Sequence, residues 1–172
     1  MSSKTLPIEQ ILSLLKETPP RLAELTAGLA PDQLRAAPGE GEWSAGETLA
    51  HLRACSEVWG GIYIMTLLHQ ENPTIRAVNP RTWIKNTDYF EQEFQASLRA
   101  FTRERERLLA VLEPLPPEGW ARTNTLVGAG KPRLQTLLSH ADGLARHERA
   151  HLRQIERILE AVSPAAGRNP RR

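Results

Sequence analysis

Apolar residues recur at steps of three and four along four separate stretches of the chain, the spacing that lines one face of a helix. The first stretch runs from Pro7 to about Ala30 and carries Ile8, Ile11, Leu14, Leu15, Leu22, Leu25 and Leu29. Pro19-Pro20 falls inside it, so this helix is expected to be kinked or split, with Thr18 capping its second piece. After the connector APDQLRAAPGEGEW, Ser44 and Glu47 are spaced as a capping box, in which each side chain satisfies a free backbone donor of the other. A second helix is predicted from near Ala45 towards Gln70, ending before Asn72-Pro73. Asp88 followed by Glu91 marks a third start, and Phe90, Phe94, Leu98, Phe101, Leu108 and Leu112 carry that helix to Pro114. The fourth stretch is the most regular, stepping through Leu134, Leu137, Ala141, Leu144, Glu148, His151, Ile155, Ile158 and Val162.

Residues 73–87 and Leu115–Arg133 have no sustained period and read as long irregular connections. There is no internal repeat. Four long amphipathic helices in so short a chain imply an all-α fold, a four-helix bundle with long inter-helix connections. The bundle domain is assigned to residues 1–162. The remainder, 163–172, has no apolar residue larger than alanine and reads as a loose basic tail.

Composition narrows the class. The 172 residues are 40% hydrophobic and 24% charged, which rules out wholesale disorder. Aromatics make up only 5%, and an apolar mass of Leu and Ala favours helices over strands. With 22 basic against 20 acidic residues, charge is too balanced to make nucleic acid an expected partner. The chain lacks the long apolar run of a membrane span, so no membrane association is expected. Glu9 and the lack of an apolar core near the start argue against a signal peptide. A single cysteine, Cys55, has no intramolecular partner, and a cytoplasmic location is the expectation.

Chemistry concentrates in the histidines. His147 and His151, in RHERAHLRQIERIL, are four apart and lie on one face of the fourth helix, a geometry in which two rings can reach one ion. A hydrogen-bonded pair in the core is the alternative reading of the same spacing. His51, in SAGETLAHLRACSEVW, lies at or near the buried side of the second helix. It fits either a satisfied core histidine or the third member of a three-nitrogen set. Three neutral nitrogens with an open position describe a catalytic rather than a structural metal site.

The segment GEWSAGETLAHL, with Trp-Ser before a helix and a histidine seven residues after that serine, resembles the DinB-like four-helix superfamily. HADGLARHERAHLRQIERIL is similar to the same family's closing motif, including Gln154 and Ile155 after the second histidine. The resemblance spans roughly residues 8–160. It implies a bundle in which His51, His147 and His151 hold a divalent metal, zinc or nickel, and a frequent homodimer. It also implies, in some branches, a transferase or isomerase that uses a low-molecular-weight thiol such as bacillithiol or mycothiol.

The expected function is therefore a metal-dependent enzyme acting on a small electrophilic substrate, with a thiol or water as nucleophile. A non-catalytic metal- or ligand-binding bundle is the rival. Around the triad, Cys55 reads as a small buried hydrophobe or a fourth ligand. His140 lies about 10 Å along the helix axis from His147 and reads as a core or supporting residue. Glu148 and Glu57 fit a general base or an ion pair. Arg105 fits an anion holder or a snorkelling side chain, and RERER a solvated face. Trp43, Trp59, Trp83 and Trp120 read as core or loop anchors, and His69 as an exposed helix end.

Overall fold

The computed structural model describes residues 4–163, so the tail assigned to 163–172 lies outside the described residues apart from Ser163. The first apolar stretch is helix α1 (Ile8–Thr26), and it passes through Pro19 and Pro20 without being split. Each proline removes one backbone donor from the ladder. Thr18 does not cap a second piece; its hydroxyl donates to Leu14 O at 2.9 Å, one turn back. A short α2 (Pro31–Arg35) follows.

The capping box forms as its spacing requires. Glu47 N donates to Ser44 Oγ at 3.1 Å, and Ser44 N to Glu47 Oε2 at 2.8 Å. Helix α3 (Ala45–Cys55) then runs through a π-helical stretch, Ser56–Ile64, into α4 (Met65–His69). Within that stretch Gly60 lies against α6 (Phe94–Leu112), where an added Cβ would meet Leu108 at 3.1 Å. The wider helix and the missing side chain together let the two backbones approach.

The connections are more ordered than the sequence predicts. They hold β1 (Thr74–Arg76), α5 (Pro80–Trp83), a 3₁₀ turn at Ile84–Asn86, α7 (Pro117–Trp120), β2 (Thr123–Val127) and β3 (Arg133–Thr136). β2 is the middle of a three-stranded sheet, parallel to β1 and antiparallel to β3. Gly128 and Gly130, at φ +86° and +85°, make the turn between β2 and β3, a backbone that other residues rarely adopt.

Two helix starts move accordingly. Asp88 closes only a single turn, accepting from Glu91 N and Gln92 N, and α6 instead begins on Glu93, which caps Gln95 N and Ala96 N. Helix α8 (Leu137–Val162) begins on a reciprocal Thr136–Ser139 cap, leaving Leu134 exposed in β3.

The four long helical rods bury two apolar clusters. One gathers Ile11, Leu15, Ile64, Leu67, Leu112 and Leu144; the other gathers Leu22, Leu49, Leu52, Phe101 and Ile155. On every rod buried polar residues fall between the two sets: Thr18, then Arg53 and Ser56, then Arg105, then Glu148. The bundle therefore has a polar waist, and His51, His147 and His151 lie close to it along their helices. Among the described residues, no helix is long and apolar enough to cross a membrane.

Candidate metal centre

Helix α3 presents His51 and helix α8 presents His147 and His151, and the three rings converge. His51 Nε2 is 3.3 Å from His147 Nε2, which is 3.1 Å from His151 Nε2. All three ligand atoms lie within 4.8 Å of one another. With metal–nitrogen bonds of about 2.0–2.1 Å, two donors of a tetrahedral ion sit about 3.4 Å apart, so the observed spacing suits one cation. His51 is buried, while His147 and His151 are half-buried, which leaves the cluster open on one side.

The rings are held in place by their surroundings. His151 Nδ1 donates to Gln154 Oε1 at 2.7 Å, so its Nε2 lone pair is free to face the other two rings. Trp43 meets the His51 ring edge-on with centroids 5.0 Å apart, and Trp59 meets His147 at 4.8 Å. Burial holds the imidazoles neutral: His51 titrates at about 4 and His147 at about 3, each lowered further by the neighbouring rings. His151 is lowered for the same reason, against the opposing effect of Gln154. Three neutral nitrogens aimed at one point repel as lone pairs and are relieved by a cation.

Cys55, one turn after His51, is buried with Sγ 3.4 Å from His51 Nε2 and 3.8 Å from His147 Nε2. Burial, and then Glu148, push its thiol up to about 12. Glu148 follows His147 in sequence but points into the bundle, where it pairs with Arg105. Burial raises the Glu148 carboxyl, and Arg105 opposes that shift. Arg105 therefore neither lines an open cavity nor snorkels; it closes the polar waist and also reaches Ser56 Oγ at 3.4 Å.

Glu57 is occupied as well. Its Oε2 accepts from Trp83 Nε1 at 2.9 Å and from Tyr89 Oη at 2.8 Å, which ties the β1–α6 connection to the π-helical stretch. His140 Nε2 donates to Asn124 Oδ1 at 2.8 Å, joining α8 to β2, and burial lowers its pKa to about 4. His69 is exposed at the last residue of α4, and Trp120 is buried in the core. RERER divides: Arg103, Glu106 and Arg107 are exposed, Glu104 pairs with Arg53 at 3.0 Å, and Arg105 is buried.

Arg81 was not singled out by the sequence. The Asn79-Pro80 pair before it, a cap followed by a proline at the first helical position, is the signal that marks its place.

A family model described as the DinB superfamily matches residues 14–155. The chain belongs to the DinB superfamily. Among solved structures it is similar to YfiT from Bacillus subtilis, described as a probable metal-dependent hydrolase with an unusual four-helix bundle topology. That likeness has 20% identity and a TM-score of 0.77, covering 93% of this chain and 91% of that one. It is also similar to a mycothiol-dependent maleylpyruvate isomerase, at 14% identity and TM-score 0.65, covering 89% of this chain. The match covers 63% of the isomerase's length. At these identities the likeness establishes the fold. No curated protein matches the chain in sequence.

Proposed function

We propose that this DinB-superfamily chain is a metal-dependent enzyme in which His51, His147 and His151 hold one divalent cation, zinc or nickel. The observation that carries the reading is the convergence of three Nε2 atoms, with separations of 3.3 and 3.1 Å, on the open side of the polar waist. A divalent cation supplies acidity there, so that a coordinated low-molecular-weight thiol or water loses its proton near neutral pH. The residues around it do the rest. Gln154 fixes the tautomer of His151, Trp43 and Trp59 wall the rings, and the Arg105–Glu148 pair keeps Glu148 turned away from the cluster. Glu148 is thereby assigned to structure rather than to proton transfer. The substrate is a small electrophilic molecule, as the metal-dependent hydrolase and thiol-dependent isomerase among the structural relatives support.

The same reading carries a cytoplasmic homodimer with a two-fold interface. Light scattering is expected to give twice the 19.3 kDa chain mass; a constant 19.3 kDa at micromolar concentration would remove the dimer.

Elemental analysis of protein purified without a histidine tag tests the centre. One divalent ion per chain is expected, and loss of that ion in a His147→Ala/His151→Ala variant that stays folded. Metal retained in that variant would overturn the site. A loaded protein that turns over no electrophile with excess thiol or water would point instead to a binding bundle.

A further inference from the structure

Arg81 stands near the histidine cluster with no acidic partner among the described residues. Asn79 Oδ1 accepts from Arg81 N at 2.9 Å and fixes the start of α5. The guanidinium carbon lies 5.5 Å from the Trp43 ring centroid, and Trp43 in turn meets His51. Arg81 is exposed and forms no ion pair among the described residues, whereas Arg21, Arg53, Arg105 and Arg146 each have a carboxylate.

A cleft of about 620 Å³ opens beside the start of α5. Asn79 and Pro80, the residues just before Arg81, form part of its wall, and Trp59 joins it to the cluster because the same ring meets His147. Arg133 and His140 also line the cleft, and no aspartate or glutamate does. That lining carries the positive charge of Arg133 and no negative charge.

We propose that Arg81 is the anion anchor of this centre, and that the small molecule brought to it carries a carboxylate that Arg81 pairs with, its body lying along the cleft past Trp59. The proposal rests on the three-histidine cluster holding a cation. Arginine suits the role because its planar fork meets both carboxylate oxygens at once, and it stays charged at any working pH.

The test is a titration of the cobalt-loaded protein with mercaptopropionate, mercaptoethanol and cysteamine, three small thiols that are anionic, neutral and cationic. Sulfur-to-cobalt charge-transfer absorbance reports binding without turnover. An ion pair at a half-open rim predicts mercaptopropionate binding about five- to tenfold more tightly than cysteamine. In Arg81→Gln that preference is expected to fall to within about twofold, to return in part in Arg81→Lys, and to reverse in Arg81→Glu, with cobalt content per chain unchanged throughout. Chelation of cobalt by the thiol's own carboxylate would persist in Arg81→Gln, so an undiminished preference there overturns the proposal, as does no preference in the unsubstituted chain. A chain that takes up no cobalt overturns the metal reading and this proposal together. A chain that takes it up without charge preference overturns this one alone.

Discussion

Arg105 and Glu148 meet as an ion pair in the bundle interior, with side chains only 1% and 0% exposed. Among the described residues Arg105 Nε and Nη1 and Glu148 Oε2 have no hydrogen-bond partner, so the pair is held by one main contact. Removing either partner strands a buried charge, and Arg105→Met or Glu148→Leu is expected to cost about 3–5 kcal/mol. The double replacement leaves no charge behind and is expected to cost less than either single one. Urea unfolding reads this as a midpoint shift at constant slope. A double variant less stable than both singles would contradict it.

Gly60 and Gly61 are neighbours in the π-helical stretch with opposite expectations. A methyl at Gly60 meets Leu108 at 3.1 Å, so Gly60→Ala is expected to destabilise by about 1–3 kcal/mol through overpacking. At Gly61 the nearest atom is Glu57 Cγ at 3.9 Å, an ordinary contact. Gly61→Ala is expected to stabilise by about 0.4–1 kcal/mol, by narrowing the unfolded chain's freedom. Thermal midpoints of the two variants that move in the same direction would count against this account.

The bundle and the triad were legible because both depend on local spacing. His147 and His151 sit on a stripe whose period places them on one face, and the Ser44–Glu47 box fixes where α3 starts and so where His51 points. The sheet was not legible. Its strands span three to five residues, and β1 pairs with β2 across some fifty residues of chain, a contact that leaves no periodic trace. Gly128 and Gly130 did mark the β2–β3 turn, but the strands flanking it are too short to stand out. Arg105 misled for a different reason. Inside RERER its neighbours are solvated, and only Glu148 on another helix makes it a core residue. Arg81, in a connection without a period, depends wholly on where that connection folds back.

The metal-free protein is expected to lose stability as pH falls from about 6.5 towards 4. His51 and His140 titrate at about 4 and His147 at about 3, all below the ordinary 6.5, so between those values the unfolded chain binds protons that the folded chain does not. Their contribution is complete above 6.5 and is lost as pH drops through the folded values. Glu148, raised by burial, acts in the opposite direction. Urea midpoints at a series of pH values check this, and a midpoint that is flat from pH 7 to 4 would contradict it.

Cys55 is buried, and its thiol is pushed up to about 12. Alkylation depends on the thiolate and on access, so iodoacetamide at pH 8 is expected to label native metal-free protein at least about a hundredfold more slowly than protein in guanidinium. Mass spectrometry over time gives both rates. Comparable rates would mean that the residue is open to solvent.

If the three histidines hold a cation as proposed, Gln154 distinguishes a residue that would orient a ligand from one that would donate to the ion. Its Oε1 accepts the His151 Nδ1 proton at 2.7 Å, which fixes the ring and makes Nε2 the free nitrogen. Gln154→Leu keeps all three nitrogens but removes that acceptor, and loss of such a partner lowers metal affinity by about 10–100-fold. His151→Ala removes a donor outright and is expected to cost more. Gln154 is half-buried on the exposed flank of α8, so the unfolding midpoint of metal-free Gln154→Leu is expected to match that of the unsubstituted chain. Competition against a metallochromic chelator ranks the three proteins. Unchanged affinity in Gln154→Leu would show that the packing of Trp43 and Trp59 alone orients the rings.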